Sequence, residues 1–151
     1  MKLQKATCFA LFAVLELAAE PTRQRAAGEI AEKYGISLHH LAKVLRDLGR
    51  AGFVESARGV GGGYRLAGNP KRVTLLDVIE VFEQVADGKG GDEPRPTTDV
   101  GRGLRIVLDE IDEHALATLR SVSLATMLKI IQRPAAAAAS DKKPRRQAAR
   151  G

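Results

Sequence analysis

The sequence predicts a mainly α-helical fold with a small β-hairpin wing: a winged helix-turn-helix domain followed by a long C-terminal dimerisation helix. Three observations predict it. Apolar residues recur at steps of three and four through most of the first 82 residues. A glycine-rich turn, Arg58 to Gly63, sits between two short β-prone runs. A second apolar stripe starts at Val100, after a polar stretch rich in Gly, Pro and Asp.

The first helix carries Ala6, Phe9, Ala10, Ala13, Val14 and Leu17 on one face. A charged head before this apolar run also suits a signal peptide. Glu16 ends the run without a clear cleavage site, so a structural helix is the favoured reading. No segment reaches the roughly 18 apolar residues that span a membrane. Pro21 to Arg25 breaks the helix. The second helix places Ala27, Ile30, Ala31 and Tyr34 inward, and Gly35 stops it. Ser37 caps a third, with Leu41, Val44, Leu45 and Leu48 as its apolar stripe, and Gly52 closes it. Phe53–Ala57 and Tyr64–Leu66 read as the two strands of the wing. Thr74 caps a helix with Leu75, Val78, Ile79 and Phe82 inward.

Leu104, Leu108, Ile111, Ala115, Leu119 and Val122 continue the stripe from Val100 as an ordinary helix face rather than a strict heptad. Such a helix packs either on its own domain or on a second copy. With a core already closed by residue 82, an intersubunit seam is favoured. Ser123 caps a short final helix. The expected organisation is a winged domain over 1–85, a linker over 86–99, a dimerisation region over 100–132 and a disordered basic tail over 133–151.

Composition limits the partners. Hydrophobic residues at 44% and charged residues at 28% fit a globular chain. Aromatics at 4%, without Trp, argue against a stacking platform for single strands. The net charge of +6 favours an anionic partner. Its distribution is uneven: 12 basic and 8 acidic side chains in 1–80, 6 and 9 in 81–132, 6 and 1 in 133–151. The lone cysteine, Cys8, excludes an intramolecular disulfide or an all-cysteine metal cage and suits a reducing, cytoplasmic compartment.

The second and third helices carry the functional signal. Small Ala31, turn-forming Gly35 and buried Leu41 have the spacing of a helix-turn-helix. On the opposite face His39, Lys43, Arg46 and Arg50 form a stripe of donors, interrupted only by Asp47. Ser37, His39 and His40 lie in the first turn, the part of a recognition helix that reaches base edges. A solvated helix face usually mixes signs, so double-stranded DNA is the favoured partner. Arg58 stands at the tip of a slim hairpin made by Gly59, Gly61 and Gly62 before Tyr64, suited to a narrow minor groove. The Gly-Lys-Ser/Thr of a phosphate loop is missing, and no helix directly follows the third glycine as a dinucleotide fingerprint requires.

From Met1 to about Phe82 the sequence resembles the BadM/IscR-type winged-helix transcriptional regulators, the Rrf-two family. The resemblance rests on Met1-Lys2-Leu3, Ile30-Ala31-Glu32, Tyr34-Gly35-Ile36-Ser37, Leu48 to Val54, Arg58 to Leu66, and Thr74 to Ile79. It implies a dimeric bacterial DNA-binding repressor or activator. By position, Ser37, His39, His40 and Lys43 match the family's base- and phosphate-reading residues, and Arg58 matches its minor-groove arginine. The Leu104–Leu119 stripe resembles its dimerisation helix by pattern.

One departure stands out. Many members hold an iron–sulfur cluster on three cysteines in the linker, and Ala86 to Gly103 has none. Asp87, Asp92, Glu93 and Asp99 there read as a solvated acidic loop. Cys8 lies near a position from which some members supply an extra ligand, yet one thiolate cannot replace the set. It reads as a small buried hydrophobe, with oxidation as the alternative. No metal site, cofactor, catalytic set or membrane partner is expected, and no small-molecule effector is identified. The sequence thus points to a cytoplasmic, homodimeric, sequence-specific transcription regulator, with repression favoured, and not to an enzyme. The rival is a protein-interaction module whose basic tail binds nucleic acid nonspecifically.

Overall fold

A computed structural model describes residues 2–83 and 97–133. In chain order the elements are α1 (Lys5–Ala19), α2 (Ala27–Tyr34), α3 (Leu38–Arg50), β1 (Val54–Ala57), β2 (Gly63–Leu66), α4 (Leu75–Ile79), α5 (Asp99–Ser121) and α6 (Leu124–Ile131). The expected linker centre and basic tail lie outside the described residues.

The core forms where the periodic apolar faces meet. Ala10, Ala13, Val14 and Leu17 of α1 are fully buried against Ile30 and Ala31 of α2 and Leu41, Leu45 and Leu48 of α3. Each large aliphatic side chain so buried stabilises the domain by roughly 1.5–3 kcal/mol before entropy is charged against it. α2 stops at Gly35, whose φ of 62° belongs to the left-handed region. The following Ile36 N–H then reaches Ala31 O at 2.9 Å, and the chain turns into α3.

β1 and β2 pair antiparallel, with Val54 opposite Leu66, Glu55 opposite Arg65, Ser56 opposite Tyr64 and Ala57 opposite Gly63. Val54 and Leu66 face the core. On the other face the Arg65 guanidinium donates to Glu55 Oε2 at 2.9 and 3.1 Å. The first strand starts one residue later than expected because Phe53 N closes α3, donating to Leu48 O.

α4 is shorter than its sequence suggests. Thr74 and Asp77 form a reciprocal capping box at its start. After Ile79 the chain tightens through i→i+3 bonds from Val81 N to Val78 O and Phe82 N to Ile79 O. Leu76, Val78 and Ile79 are buried, while Leu75 and Phe82 are half-buried. α5 runs 23 residues, capped by Thr98, and has no buried residue. α6 turns back onto α1: Leu124 is fully buried, and its N–H donates to Val73 O at 2.9 Å. Leu75 N donates to Val122 O, so the chain after α5 is stitched to the Val73–Leu75 segment at the start of α4. No described helix is long and apolar enough to cross a membrane.

Candidate nucleic-acid interface

α3 is held by its apolar stripe and offers the opposite face to solvent. Ser37, His39, His40, Lys43, Arg46 and Arg50 are all exposed. Ser37 also serves the fold, because its Oγ accepts from His40 N at 3.5 Å as the N-cap. The two imidazoles sit side by side, centroids 6.3 Å apart. Arg50 has a loose contact with Asp47 at 3.8 Å, and among the described residues no acid lies within 4 Å of the cationic ends of Lys43 or Arg46. These donors therefore remain open to an anionic partner.

A groove of about 610 Å³ separates α3 from the hairpin. Ala42, Arg46 and Arg50 form one wall, and Glu55, Ser56 and Tyr64 the other. The Glu55 charge is already neutralised by Arg65. Arg58 is exposed at the start of the hairpin turn. Gly59, Gly61 and Gly62 shape that turn: a Cβ on Gly62 would lie 2.5 Å from Ala57 O and 2.8 Å from Gly59 O. Their role is to make the tip slim. Tyr64 is half-buried at the root of the groove.

A second cleft of about 630 Å³ lies beside the start of α3. Gln4, Lys5 and Phe9 of α1 meet Ser37, His40 and Lys43 there. Lys5 thus joins the cationic surface, which the sequence reading missed because it looked like the head of an apolar helix. Only the convergence of two helix N-termini reveals it.

Along α5, Val100, Leu104, Leu108 and Ile111 are 82%, 58%, 48% and 57% exposed, and Ile106 and Val107 are exposed beside them. Ala115, Leu119 and Val122 are half-buried within their own chain. Val122 lies past the helix end, in the segment stitched to α4. The sequence-derived seam therefore divides into an open upper half and a lower half that meets the domain. Cys8 is half-buried on α1 as a free thiol.

The Rrf2 family model, described as an iron-dependent transcriptional regulator, matches residues 3–130. This chain belongs to the Rrf2 family. It is 58% identical over 134 residues to a Rhodopseudomonas palustris protein named as the HTH-type transcriptional regulator BadM, covering 87% of this chain and 83% of that one. It is 42% identical over 84 residues to the HTH-type transcriptional regulator NsrR of Bacillus subtilis, covering 55% and 58%. Among solved structures, CymR, the global cysteine regulator of B. subtilis, superposes with a TM-score of 0.71 at 26% identity, over 86% of this chain and 98% of that one. IscR of T. potens gives 0.66 at 26%, over 96% and 93%. The Rrf2 chain is a winged-helix, DNA-binding transcriptional regulator, and the interaction-module alternative is not favoured.

The residues of this Rrf2 protein do not fit an iron–sulfur cluster. Such clusters take about four protein ligands, usually thiolates. The sequence has one cysteine, and the described residues contain no group of three or more His, Cys, Asp or Glu arranged to hold a metal. Of the linker acids, Asp99 is in the first turn of α5, where it pairs with Arg102, and Asp87, Asp92 and Glu93 lie outside the described residues.

Proposed function

We propose that this Rrf2 regulator is a homodimer that represses transcription by occupying a specific operator, and that it does so without an iron–sulfur cluster. The observation that carries the reading is the exposed donor face of α3 beside the groove to the hairpin. In this reading His39, His40 and Lys43 meet base edges in the major groove. Arg46, Arg50 and Lys5 meet phosphates, and Arg58 enters the adjacent minor groove. The open upper half of α5 supports dimerisation, since Val100, Leu104, Leu108 and Ile111 there are exposed among the described residues. Occupancy of an operator needs only these two surfaces and no catalytic step. Acting on DNA in a bacterial cell places the protein in the cytoplasm.

Selection of bound sequences from a random DNA pool tests the reading. The expected product is a site with two related half-sites, one or more helical turns apart, that survives excess random competitor. Binding that the competitor abolishes would reject sequence-specific regulation. Anaerobic treatment with iron and sulfide should leave the protein colourless; a brown protein with stoichiometric iron would reject the cluster-free part.

A further inference from the structure

The loop between α1 and α2 is not a free connection. Arg25 N donates to Tyr64 O and Tyr64 N donates to Arg25 O, each at 2.8 Å, so Arg25 forms a third-strand rung against β2. The approach is close because the neighbouring residue is glycine. A Cβ on Gly63 would lie 2.5 Å from Arg25 O and 2.6 Å from Arg25 C, both backbone atoms with little room to yield.

The Arg25 side chain is itself fixed. It is only 13% exposed, with Nη1 3.1 Å from Glu29 and 3.7 Å from Glu16, and Nη2 3.1 Å from Glu20. Glu16, 11% exposed on α1, also accepts from Lys33 Nζ at 2.6 Å and Tyr34 Oη at 2.5 Å on α2. Arg25 thus ties α1 to α2 through its side chain and both to β2, one rung from the turn, through its backbone. An ion-pair cluster at the surface would add little. Here Arg25 and Glu16 are covered while Glu20, Glu29 and Lys33 stay exposed, and the buried Arg25 Nε has no hydrogen-bond partner, so the guanidinium itself is held in place at a desolvation cost.

We propose that Arg25 is a positioning residue for DNA recognition: by bracing β2 beside the hairpin turn against the α1–α2 scaffold, it sets where Arg58 stands relative to α3. The lever is short and stiff. Arg58 lies two residues beyond Ser56, which pairs with Tyr64 across the ladder, roughly 7 Å at strand rise. A tilt of about 15° at this rung would move Arg58 by about 2 Å, a third of the roughly 6 Å width of a minor groove. The proposal rests on the reading of Arg58 as a groove contact.

A double-mutant cycle in the full chain tests both separately. Wild type, Arg58→Ala, Arg25→Met and the double variant are titrated against one operator carrying A·T-rich or G·C-rich flanks, with folding checked by urea denaturation. Arg58→Ala should lose about tenfold at A·T-rich flanks, the size of one groove contact, and little at G·C-rich flanks. Arg25→Met should reproduce that pattern, and in the double variant it should add nothing further. Arg25→Lys should lie between wild type and Met, because it keeps the charge without the fork. Gly63→Ala, which displaces the same rung from the other side, should show the same flank dependence and serves if Arg25→Met does not fold. Equal loss at every flank, or full additivity with Arg58→Ala, would overturn the positioning role while leaving the Arg58 contact in place. An Arg58→Ala variant with no effect at any flank would instead remove the groove contact, and the positioning role with it.

Discussion

The carboxylate of Glu83 closes over Thr7, accepting from its buried Oγ at 2.6 Å, and so caps α1 from the exit of α4. The same carboxylate accepts from Gln4 N at 2.7 Å and Gln4 Nε2 at 3.2 Å, supplying a cap that the Gln4 side chain does not. A negative charge suits the positive end of the helix. The Thr7 bond, then the Gln4 backbone bond, holds the Glu83 carboxyl below its ordinary range. The start of α1, the exit of α4 and the cleft with Lys5 and His40 are therefore one mechanical unit.

Thr7 is fully buried, so its hydroxyl depends on Glu83. Thr7→Val keeps the shape and removes the donor, which should cost about 1–2 kcal/mol. Glu83→Ala should cost more, because it leaves a buried hydroxyl unpaired and the helix uncapped. Urea midpoints check the order. Equal stability of Thr7→Val and wild type would show that the bond contributes nothing.

Glu16 sets an acid limit. Burial alone would raise its pKa, but hydrogen bonds from Lys33 and Tyr34 and the charges of Lys33 and Arg25 outweigh it, and the net shift is downward. Its contribution to stability is complete above the unfolded value near 4.5 and is lost as pH falls through the lowered folded value. Glu16→Gln should be less stable than wild type at pH 7, with the gap narrowing as pH falls below the unfolded value near 4.5. Tyr34 behaves in the opposite sense: burial, then the Glu16 bond and charge, push it up to about 12, so its contribution persists from neutral pH and is lost only as pH rises through that value. Denaturation midpoints at pH 7, 5 and 3.5 are the measurement. A gap that stayed constant on acidification would reject the assignment to Glu16 ionisation.

Local patterns were the legible ones. Gly35, the Ser37 cap, the α3 stripe and the Ser123 cap are each encoded within a few residues, so spacing suffices to place them. The end of α4 was not legible, because no breaker follows Ile79; the chain tightens there to turn Phe82 inward and deliver Glu83 to α1. Nor were the Arg25–Tyr64 rung, the stitch around Ser123 and the return of α6 onto α1. The first two are backbone pairings and the third is side-chain packing, all between distant segments, and Arg25 in a sequence reads only as a charged loop residue. The donors of α3 were legible as a face; the addition of Lys5 needed the third dimension.

On α5, Leu108 and Ile111 are exposed in the single chain. Leu108→Lys or Ile111→Lys should leave protomer stability within about 0.5 kcal/mol, as surface substitutions do. In a dimer the same lysine would bury an unpaired charge, so sedimentation should show monomers, with weakened operator binding. A dimer of unchanged affinity would place the seam elsewhere.

The donors of α3 should divide by position. His39, His40 and Lys43 occupy its first two turns, whereas Arg46 and Arg50 line the groove toward the hairpin. A base contact carries sequence information and a phosphate contact carries charge. Replacing His39 or Lys43 with Ala should therefore relax the preference at one or two base pairs, costing on the order of 1–3 kcal/mol on the preferred site and little on sites altered there. Arg46→Ala should weaken every sequence alike and reduce the slope of log K against log salt by about one. Titrations of a set of single-base operator variants at three salt concentrations separate the two patterns. If Arg46→Ala changed the preferred bases while Lys43→Ala only reduced the salt slope, the helix would lie in the groove rotated about its axis from the orientation proposed here.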